Sequence, residues 1–419
     1  MLSYRLSGIT AAAVATMMVG AGTATSPSPG QRHVPAVRAP ARASDPAKPA
    51  ADVFAGTSLT NAASIQSVLP VVAALPIKLS ERQLAGQRVI YSYSGFTPPA
   101  SLITLIEHGD AAGVIFFGGN YENATQFRHV VGKLTSANAN RDNPARKYPL
   151  LLMTDQEGGE VRRLPGQPAL SEKQIGEKRP DAAAEAAATQ AGKGAAANLR
   201  SYGLNVNLAP VLDVYRKAGD FDDQYQRSYS MRPGLVSALG SRFIAAQQAG
   251  GVAATAKHFP GLGAAARGQD TDVEPVTISL SARTLGLDDE YPYKAAIAAG
   301  VKLVMVSWAV YPHLGSSRPA GLSSAIVQGQ LRSGLHFKGV TITDAIGAGA
   351  LAAYGSTQNR ALLAAEAGME LILAAGETPT EGEQTLDGLE TGYGDGKLAK
   401  STFQAAVAQI LALRQSLPA

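Results

Sequence analysis

The stretch Gly251–Gly261 reads Gly-Val-Ala-Ala-Thr-Ala-Lys-His-Phe-Pro-Gly, and it joins an apolar run to a polar end. The run from Gly251 to Ala256 is uncharged, which is typical of a short strand buried on both faces of a parallel sheet. Lys257 and His258 follow at the carboxyl end of that strand, where parallel α/β folds place their catalytic groups. The stretch therefore predicts an α/β fold with its chemistry at the strand ends.

Short β-rich runs alternate with Ala-rich helical stretches on both sides of this strand. The predicted strands are Arg88–Tyr93, Gly113–Phe117, Leu150–Thr154, Asn205–Ala209, Val252–Ala256, Leu303–Ser307, Val340–Thr343 and Glu370–Ala374. The predicted helices between them include Asp181–Arg200, Leu235–Ala249, Tyr291–Ala299 and Gln358–Ala367. This alternation predicts a single (β/α)8 TIM-type barrel. An open doubly wound sheet is the alternative, and it is disfavoured because no Gly-x-Gly-x-x-Gly turn follows the first strand.

Composition excludes several classes of function. The chain has 419 residues, a net charge of +4 and no long basic run, so nucleic-acid binding has no electrostatic basis. It has no cysteine, which excludes disulfides, thiolate metal sites and a cysteine nucleophile. The six histidines are scattered without metal-ligand spacing, and we expect neither a metal nor another cofactor.

The amino terminus predicts export. Arg5 precedes an uncharged run that ends at Gly22-Thr23-Ala24, a small-x-small cleavage pattern, so residues 1–24 are predicted to be a signal peptide. An uncleaved membrane anchor is the alternative, although Ser, Thr and Gly make the run weakly apolar. Residues 25–60, rich in Pro and Ala, are predicted to be a disordered spacer, and residues 61–419 the catalytic domain. We expect a secreted protein without stable membrane insertion after cleavage.

Polar residues follow several of the predicted strands. Thr-Asp-Gln-Glu-Gly-Gly-Glu-Val-Arg-Arg ends the third strand at residues 154–163, and carboxylates and Arg guanidinium groups can bind sugar hydroxyls. Each motif also has a structural explanation when it is taken alone. Asp155 could cap a turn, Arg163 could pair with an acid, His258 could be a satisfied core residue, and Asp344 could cap a helix.

The order of the motifs resembles glycoside hydrolase family three, in particular its single-domain β-N-acetylglucosaminidase branch. The resemblance runs from about Leu79 to Leu413. Its motifs are Thr-Asp-Gln-Glu-Gly-Gly-Glu-Val-Arg-Arg, Ala-Pro-Val-Leu-Asp-Val, Arg-Ser-Tyr, Lys-His-Phe-Pro-Gly and Ile-Thr-Asp-Ala, in that order along the chain. The fold that this resemblance implies is the barrel already predicted from the alternation.

The resemblance implies a role for individual residues. Asp344 matches the nucleophile, which forms a covalent glycosyl-enzyme intermediate. Asp213 matches an acid that we expect to be structural. The residues that match contacts to the sugar in the first subsite are Asp155, Arg163, Arg227, Lys257 and His258.

The chain departs from the family pattern at Asp270-Thr271-Asp272. Relatives carry Asp-Ser/Thr-His there on a shorter loop, and the histidine is their general acid and base. Because a leaving group still needs a proton donor, we hypothesise that Asp272 is the acid and base, with Asp270 as its orienting partner. A second departure is Trp308, where relatives often carry histidine. Trp308 is interpreted as an apolar platform for a sugar or as a core residue.

Three hypotheses for function follow. The first is a secreted, retaining exo-β-N-acetylhexosaminidase that removes terminal β-linked N-acetylglucosamine from cell-wall or chitin-derived glycans and acts as a monomer. The second is another exo-β-glycosidase of the family, or a phosphorylase that uses phosphate instead of water. The third is a catalytically weak barrel that binds glycans, which the missing histidine makes conceivable.

Overall fold

A closed barrel of parallel strands organises residues 75–418, the part of the chain that the computed structural model describes. Each strand pairs in parallel with its neighbours in chain order, and the first strand closes the barrel on the last. The barrel strands are β1 Val89–Tyr91, β2 Gly113–Phe116, β3 Leu151–Thr154, β4 Val206–Asn207, β5 Ala253–Phe259, β6 Leu303–Val306, β7 Val340–Ala345 and β8 Leu371–Leu373. The predicted (β/α)8 TIM-type barrel is confirmed, each strand overlaps its predicted run, and the doubly wound alternative is wrong.

Alternating side chains divide the barrel into an inner and an outer core. In β6, Leu303 and Met305 belong to a buried cluster to which all eight strands contribute. Val304 and Val306 belong to a second cluster, shared with the surrounding helices. Because successive side chains of a strand point to opposite faces, a strand covered on both faces is apolar throughout. This explains why the strands could be recognised as continuous apolar runs.

Helices surround the barrel, and the four predicted helices are confirmed. Two of them, at Asp181–Ser201 and Pro233–Ala249, approach closely because Gly192 has no side chain; a Cβ there would lie 2.4 Å from the carbonyl oxygen of Phe243. The α-helices are α1 Glu81–Gly86, α2 Ala100–Glu107, α3 Ala124–Asn138, α4 Glu172–Gly176, α5 Asp181–Ser201, α6 Phe221–Gln224, α7 Pro233–Ala249, α8 Ala282–Thr284, α9 Tyr291–Ala298, α10 Thr357–Ala367, α11 Pro379–Gly394 and α12 Lys400–Gln415. Two π-helical segments span Leu285–Asp289 and Ala325–Gly334.

Irregular segments at the carboxyl ends of the strands carry the polar motifs. A two-stranded antiparallel hairpin, Gln156–Gly158 with Val161–Arg162, directly follows β3. A 3₁₀ helix at Gly349–Tyr354 follows β7. The predicted signal peptide and spacer, and the first residues of the predicted catalytic domain up to residue 74, lie outside the described residues. Between residues 75 and 418, no helix combines the length and the apolar character that a membrane span requires.

Candidate active site

Asp155, Glu157 and Lys257 form a buried charge cluster where β3 and β5 end. Lys257 Nζ lies 2.6 Å from Asp155 Oδ1 and 2.8 Å from Glu157 Oε1. The Lys257 side chain is only 2% exposed, so carboxylates balance its charge instead of water. Burial lowers the pKa of Lys257, but Asp155 and Glu157 outweigh burial and raise the pKa above its ordinary value. The ammonium group therefore stays charged and, with three N–H groups, can still donate one to a ligand.

Arg227 reaches this cluster from the loop after β4. Its Nε lies 2.9 Å from Glu157 Oε2 and its Nη2 3.0 Å from Glu157 Oε1, which is a bidentate ion pair. Its Nη1 donates to Asp222 at 3.2 Å. Burial would raise the pKa of Glu157, but the charges of Arg227 and Lys257 outweigh burial and hold it at about 2. Arg227 thus brings the loop after β4 back to the acids that follow β3.

His258 is fixed by Asp213. The ring Nδ1 lies 2.7 Å from Asp213 Oδ2, and the main-chain N–H of Leu262 donates to Asp213 Oδ1 at 2.6 Å. The His258 Nε2 atom lies 3.5 Å from Arg227 Nη2. The Lys257–His258 peptide bond is cis. Asp213 therefore orients the imidazole and the following turn, which supports the structural role expected for it.

Asp222 completes this network beside Asp213. Burial and the charge of Asp213 raise the pKa of Asp222 to about 7. Asp222 Oδ2 is buried and has no donor as a partner among the described residues, so a bound proton allows it to hydrogen bond to Asp213. Asp213, Asp222 and His258 also place ligand atoms within 4.8 Å of one another, as a metal site would. The guanidinium group of Arg227 lies beside Asp222 and His258, and its positive charge would repel a metal cation bound between them. The expectation that the chain binds no metal stays a prediction.

We expect the free energy of unfolding to decrease from about pH 5 to about pH 8. Burial raises the pKa of Asp222 and of Asp289 from 3.8 to about 7 in each case. The folded state binds these protons more tightly, so the stability they contribute is full below the unfolded pKa and is lost as the pH rises through about 7. The raised pKa of His258, which Asp213 causes against the effect of burial, acts in the same direction.

Chemical denaturation of the wild type and of Asp222→Asn, at about pH 5 and at about pH 8, tests this expectation. The variant should lose at least about 1 kcal/mol of the pH dependence, since one pKa unit corresponds to about 1.4 kcal/mol. Asp387→Asn is the matched control, because that side chain is 55% exposed. An unchanged pH dependence in Asp222→Asn would show that Asp222 does not bind the proton.

Asp344 and Asp272 lie close enough for the charge of one to act on the other. Asp344 lies on β7, where its Oδ1 accepts the main-chain N–H of Ala345 at 2.8 Å. Burial raises the pKa of Asp272 well above its ordinary value, and the charges of Asp344 and Asp270 raise it further. Asp272 Oδ1 is buried and has no hydrogen-bond partner among residues 75–418. Asp272 therefore holds a proton more tightly than an ordinary aspartate does, close to a second carboxyl group.

The structure places Arg163 at the site and Trp308 in the core. The main-chain N–H of Arg163 donates to the carbonyl of Asp155 at 3.1 Å, and its Nε is buried without a partner in the described chain. Trp308 is fully buried, and its indole N–H donates to the carbonyl of Ala345 at 2.8 Å. The interpretation of Trp308 as a sugar platform is therefore wrong, and the core interpretation is confirmed.

Three acids of the site were not assigned a role from the sequence. Glu157 and Asp222 bind Arg227, and Glu172 lies beneath them, with its Oε1 accepting the main-chain N–H of Val211 at 3.0 Å. Burial and the charge of Glu157 raise the pKa of Glu172 well above its ordinary value. A signal for Glu157 was present, because it lies two residues after Asp155 in the motif that ends the third predicted strand.

Residues 82–413 match the family described as "Glycosyl hydrolase family 3 N terminal domain". A protein of Arthroderma benhamiae, described as an uncharacterized secreted glycosyl hydrolase, is 43% identical over 352 residues, which are 84% of this chain and 98% of that protein. A β-hexosaminidase of Xylella fastidiosa is 31% identical over 290 residues, which are 68% of this chain and 82% of the relative.

Solved structures give the same picture. A family 3 β-N-acetylglucosaminidase from Paenibacillus sp. superposes with a TM-score of 0.74 at 31% identity, covering 81% of this chain and 63% of that one. A β-N-acetylhexosaminidase from Beutenbergia cavernae superposes with a TM-score of 0.69 at 29% identity, covering 81% of this chain and 99% of that one. This chain thus spans less than two thirds of the Paenibacillus protein but nearly all of the Beutenbergia protein.

Proposed function

The chain belongs to glycosyl hydrolase family 3, and we propose that it is a retaining exo-β-N-acetylhexosaminidase that removes terminal β-linked N-acetylglucosamine from glycans. The observation that carries the proposal is the juxtaposition of Asp344 and Asp272 beside the charge cluster of Asp155, Lys257 and Glu157. The similarity to a β-hexosaminidase and to a β-N-acetylglucosaminidase supports the choice of sugar.

The proposed reaction has two steps. In the first, the Asp344 carboxylate attacks the anomeric carbon, the bond to the glycosidic oxygen breaks, and Asp272 gives its proton to that oxygen. The products are the released alcohol and a glycosyl ester of Asp344. In the second step, Asp272, now ionised, takes a proton from water, whose oxygen attacks the same carbon and releases Asp344. Two inversions at one carbon retain the β configuration.

The sugar is held by the remaining predicted residues in this proposal. Asp155 accepts hydrogen bonds from sugar hydroxyls, while Lys257, Arg163, Arg227 and His258 donate to them. Arg163 has the free donor described above, and Lys257 retains one N–H beyond its two carboxylate contacts. Such fixed donors and acceptors hold the ring in place while charge develops at the anomeric carbon.

The proposed setting is outside the cell, with cell-wall or chitin-derived fragments as substrates. The support is the amino-terminal sequence and the description of the Arthroderma relative as secreted. The test of the function is an assay of the purified chain against a panel of aryl β-glycosides that includes the N-acetylglucosaminide. Free N-acetylglucosamine as product supports a hydrolase; sugar 1-phosphate formed in phosphate buffer would instead identify a phosphorylase.

Asp272→Asn should lower kcat/KM more for substrates with a poor leaving group than for substrates with a good one. For an N-acetylglucosaminide with a poor leaving group, we expect kcat/KM to fall about 10²- to 10⁴-fold, because that leaving group needs a proton. For a dinitrophenyl glycoside, which leaves without a proton, kcat/KM should fall less than about tenfold. The wild-type kcat/KM for the poor substrate should also fall as the pH rises through the raised pKa of Asp272.

Glu274→Gln is the control for Asp272→Asn, since Glu274 lies two residues further on the same loop and its side chain is exposed. That variant should keep both kcat/KM values. Small and equal losses for both substrates in Asp272→Asn would remove Asp272 from the role of proton donor. The family membership and the nucleophile would not be affected by that result.

A further inference from the structure

The turn at residues 270–273, which carries Asp272, is hydrogen bonded to the segment that follows Asp344, the proposed nucleophile. The main-chain N–H of Gly349 donates to the carbonyl of Asp272 at 2.8 Å, and that of Ala350 donates to the carbonyl of Thr271 at 3.0 Å. Gly349 begins the 3₁₀ helix that follows β7, the strand on which Asp344 lies. The first N–H groups of a helix lack partners within the helix, so the two carbonyls of the turn satisfy donors that would otherwise be unpaired.

The same turn is also stabilised by hydrogen bonds between its own residues. Asp270 Oδ1 accepts the main-chain N–H of Asp272 at 2.9 Å, and the carbonyl of Asp270 accepts the N–H of Val273 at 3.0 Å. The backbone of Asp272 is therefore bonded through both its N–H and its carbonyl. Its side chain keeps Oδ1 without a partner among the described residues. The backbone of the turn is thus held by hydrogen bonds, while the carboxyl group of Asp272 keeps one oxygen unpaired among the described residues.

Gly349 packs tightly against the backbone of the turn. A Cβ built on Gly349 would lie 2.0 Å from the carbonyl oxygen of Val273 and 2.4 Å from its carbonyl carbon. These are main-chain atoms, so a side chain at residue 349 cannot be accommodated by rotating a neighbour. The turn itself would have to move away from the 3₁₀ helix, and Asp272 would move with it.

We propose that Gly349 is a positioning residue, which sets the position of the Asp272 carboxyl group relative to Asp344 by letting the turn dock on the 3₁₀ helix. The proposal rests on the proposed function, in which Asp272 is the proton donor. Gly349 lies five positions after Asp344, and the N–H of Ile346 between them donates to the carbonyl of Leu373 on β8 at 2.9 Å. Nucleophile and donor are thus attached to one short, anchored segment. General acid catalysis requires a fixed position of the donor relative to the nucleophile, because a misplaced donor does not reach the leaving oxygen.

Gly349→Ala tests the proposal by the leaving-group dependence of kcat/KM. For the N-acetylglucosaminide with a poor leaving group, kcat/KM should fall at least about tenfold, with most of the loss in kcat. For the dinitrophenyl glycoside it should fall less than about threefold. A change that only weakened the fold would lower both values equally. Gly119→Ala is the matched control, because Gly119 follows β2 at the same end of the barrel and a Cβ there meets nothing within 4 Å.

Hydrogen exchange of the wild-type chain gives a second test that needs no variant. The amides of Gly349 and Ala350 should exchange slowly, since each is hydrogen bonded to the turn. Exchange at the rate of unprotected amides would overturn the proposal, as would equal losses for both substrates in Gly349→Ala. If Asp272→Asn shows no leaving-group dependence, the donor assignment fails; if it does and Gly349→Ala does not, only the role of Gly349 fails.

Discussion

Asp344→Asn is expected to lower kcat/KM by about 10⁴-fold or more, for good and poor leaving groups alike. An amide neither attacks the anomeric carbon nor supplies the negative charge that steadies an oxocarbenium-like transition state. The main-chain N–H of Ala345 holds Asp344 Oδ1 at 2.8 Å, and the half-buried carboxylate is thereby fixed at the end of β7. The equal loss of kcat/KM for both kinds of leaving group distinguishes this variant from Asp272→Asn. Steady-state kinetics with both substrates measures the two losses.

Trapping with a fluorinated N-acetylglucosaminide identifies the attacked residue directly. In the wild-type chain, the peptide that contains Asp344 should gain the mass of the fluorinated sugar, and in Asp344→Asn it should not. Asp395→Asn serves as control, because that side chain is 57% exposed and, among residues 75–418, forms an ion pair only with Lys397 at 3.9 Å. An adduct on a different carboxylate, or activity of Asp344→Asn within about tenfold of the wild type, would show that Asp344 is not the nucleophile. Trapping at Asp344 would also exclude a barrel that only binds glycans.

The barrel could be predicted because its strands are covered on both faces, but the ends of several strands could not. β5 runs to Phe259, three residues beyond its predicted end at Ala256. Lys257 and His258 indicated the end of an apolar run, yet both are buried and continue the strand, because distant acids neutralise them. β4 is shorter than predicted and keeps regular pairing only at Val206–Asn207.

The site was predicted in part, because its residue types are visible in the sequence and its pairings are not. Lys257 binds Asp155 from 102 residues away, and Arg227 binds Glu157 across 70 residues. These residues come together only when the barrel closes. The sequence of the polar loop after β4 therefore gave no indication that Asp222 is buried. Trp308 was ambiguous for a related reason. Its burial depends on Gly321, where a Cβ would lie 2.5 Å from the indole ring, and no local pattern connects the two.

Lys257→Met should lower the free energy of unfolding by about 3–5 kcal/mol, the effect of removing one partner from a buried ion pair. The ammonium group lies within 2.8 Å of both Asp155 and Glu157. Arg227 still neutralises Glu157 in the variant, whereas no other cation contacts Asp155 among residues 75–418. The variant should also bind sugar weakly, since it lacks a donor and leaves an unpaired carboxylate in the site. Denaturant unfolding and KM measure the two effects.

The loss of stability in Lys257→Met should become smaller toward about pH 4, because a carboxyl group that has lost its cation binds a proton there more readily than in the wild type. The wild type changes in the opposite sense: Glu157, with its pKa held at about 2, contributes stability above its ordinary pKa of 4.5 and loses it below. Lys302→Met is the control, because that lysine lies just before β6 and is exposed, so its removal should change stability by less than about 0.5 kcal/mol. If Lys257→Met costs less than about 1 kcal/mol, or if its cost does not depend on pH, then water already solvates the cluster. In that case Asp155 and Lys257 would meet the sugar as exposed groups, and their desolvation on binding would weaken the affinity that their contacts provide.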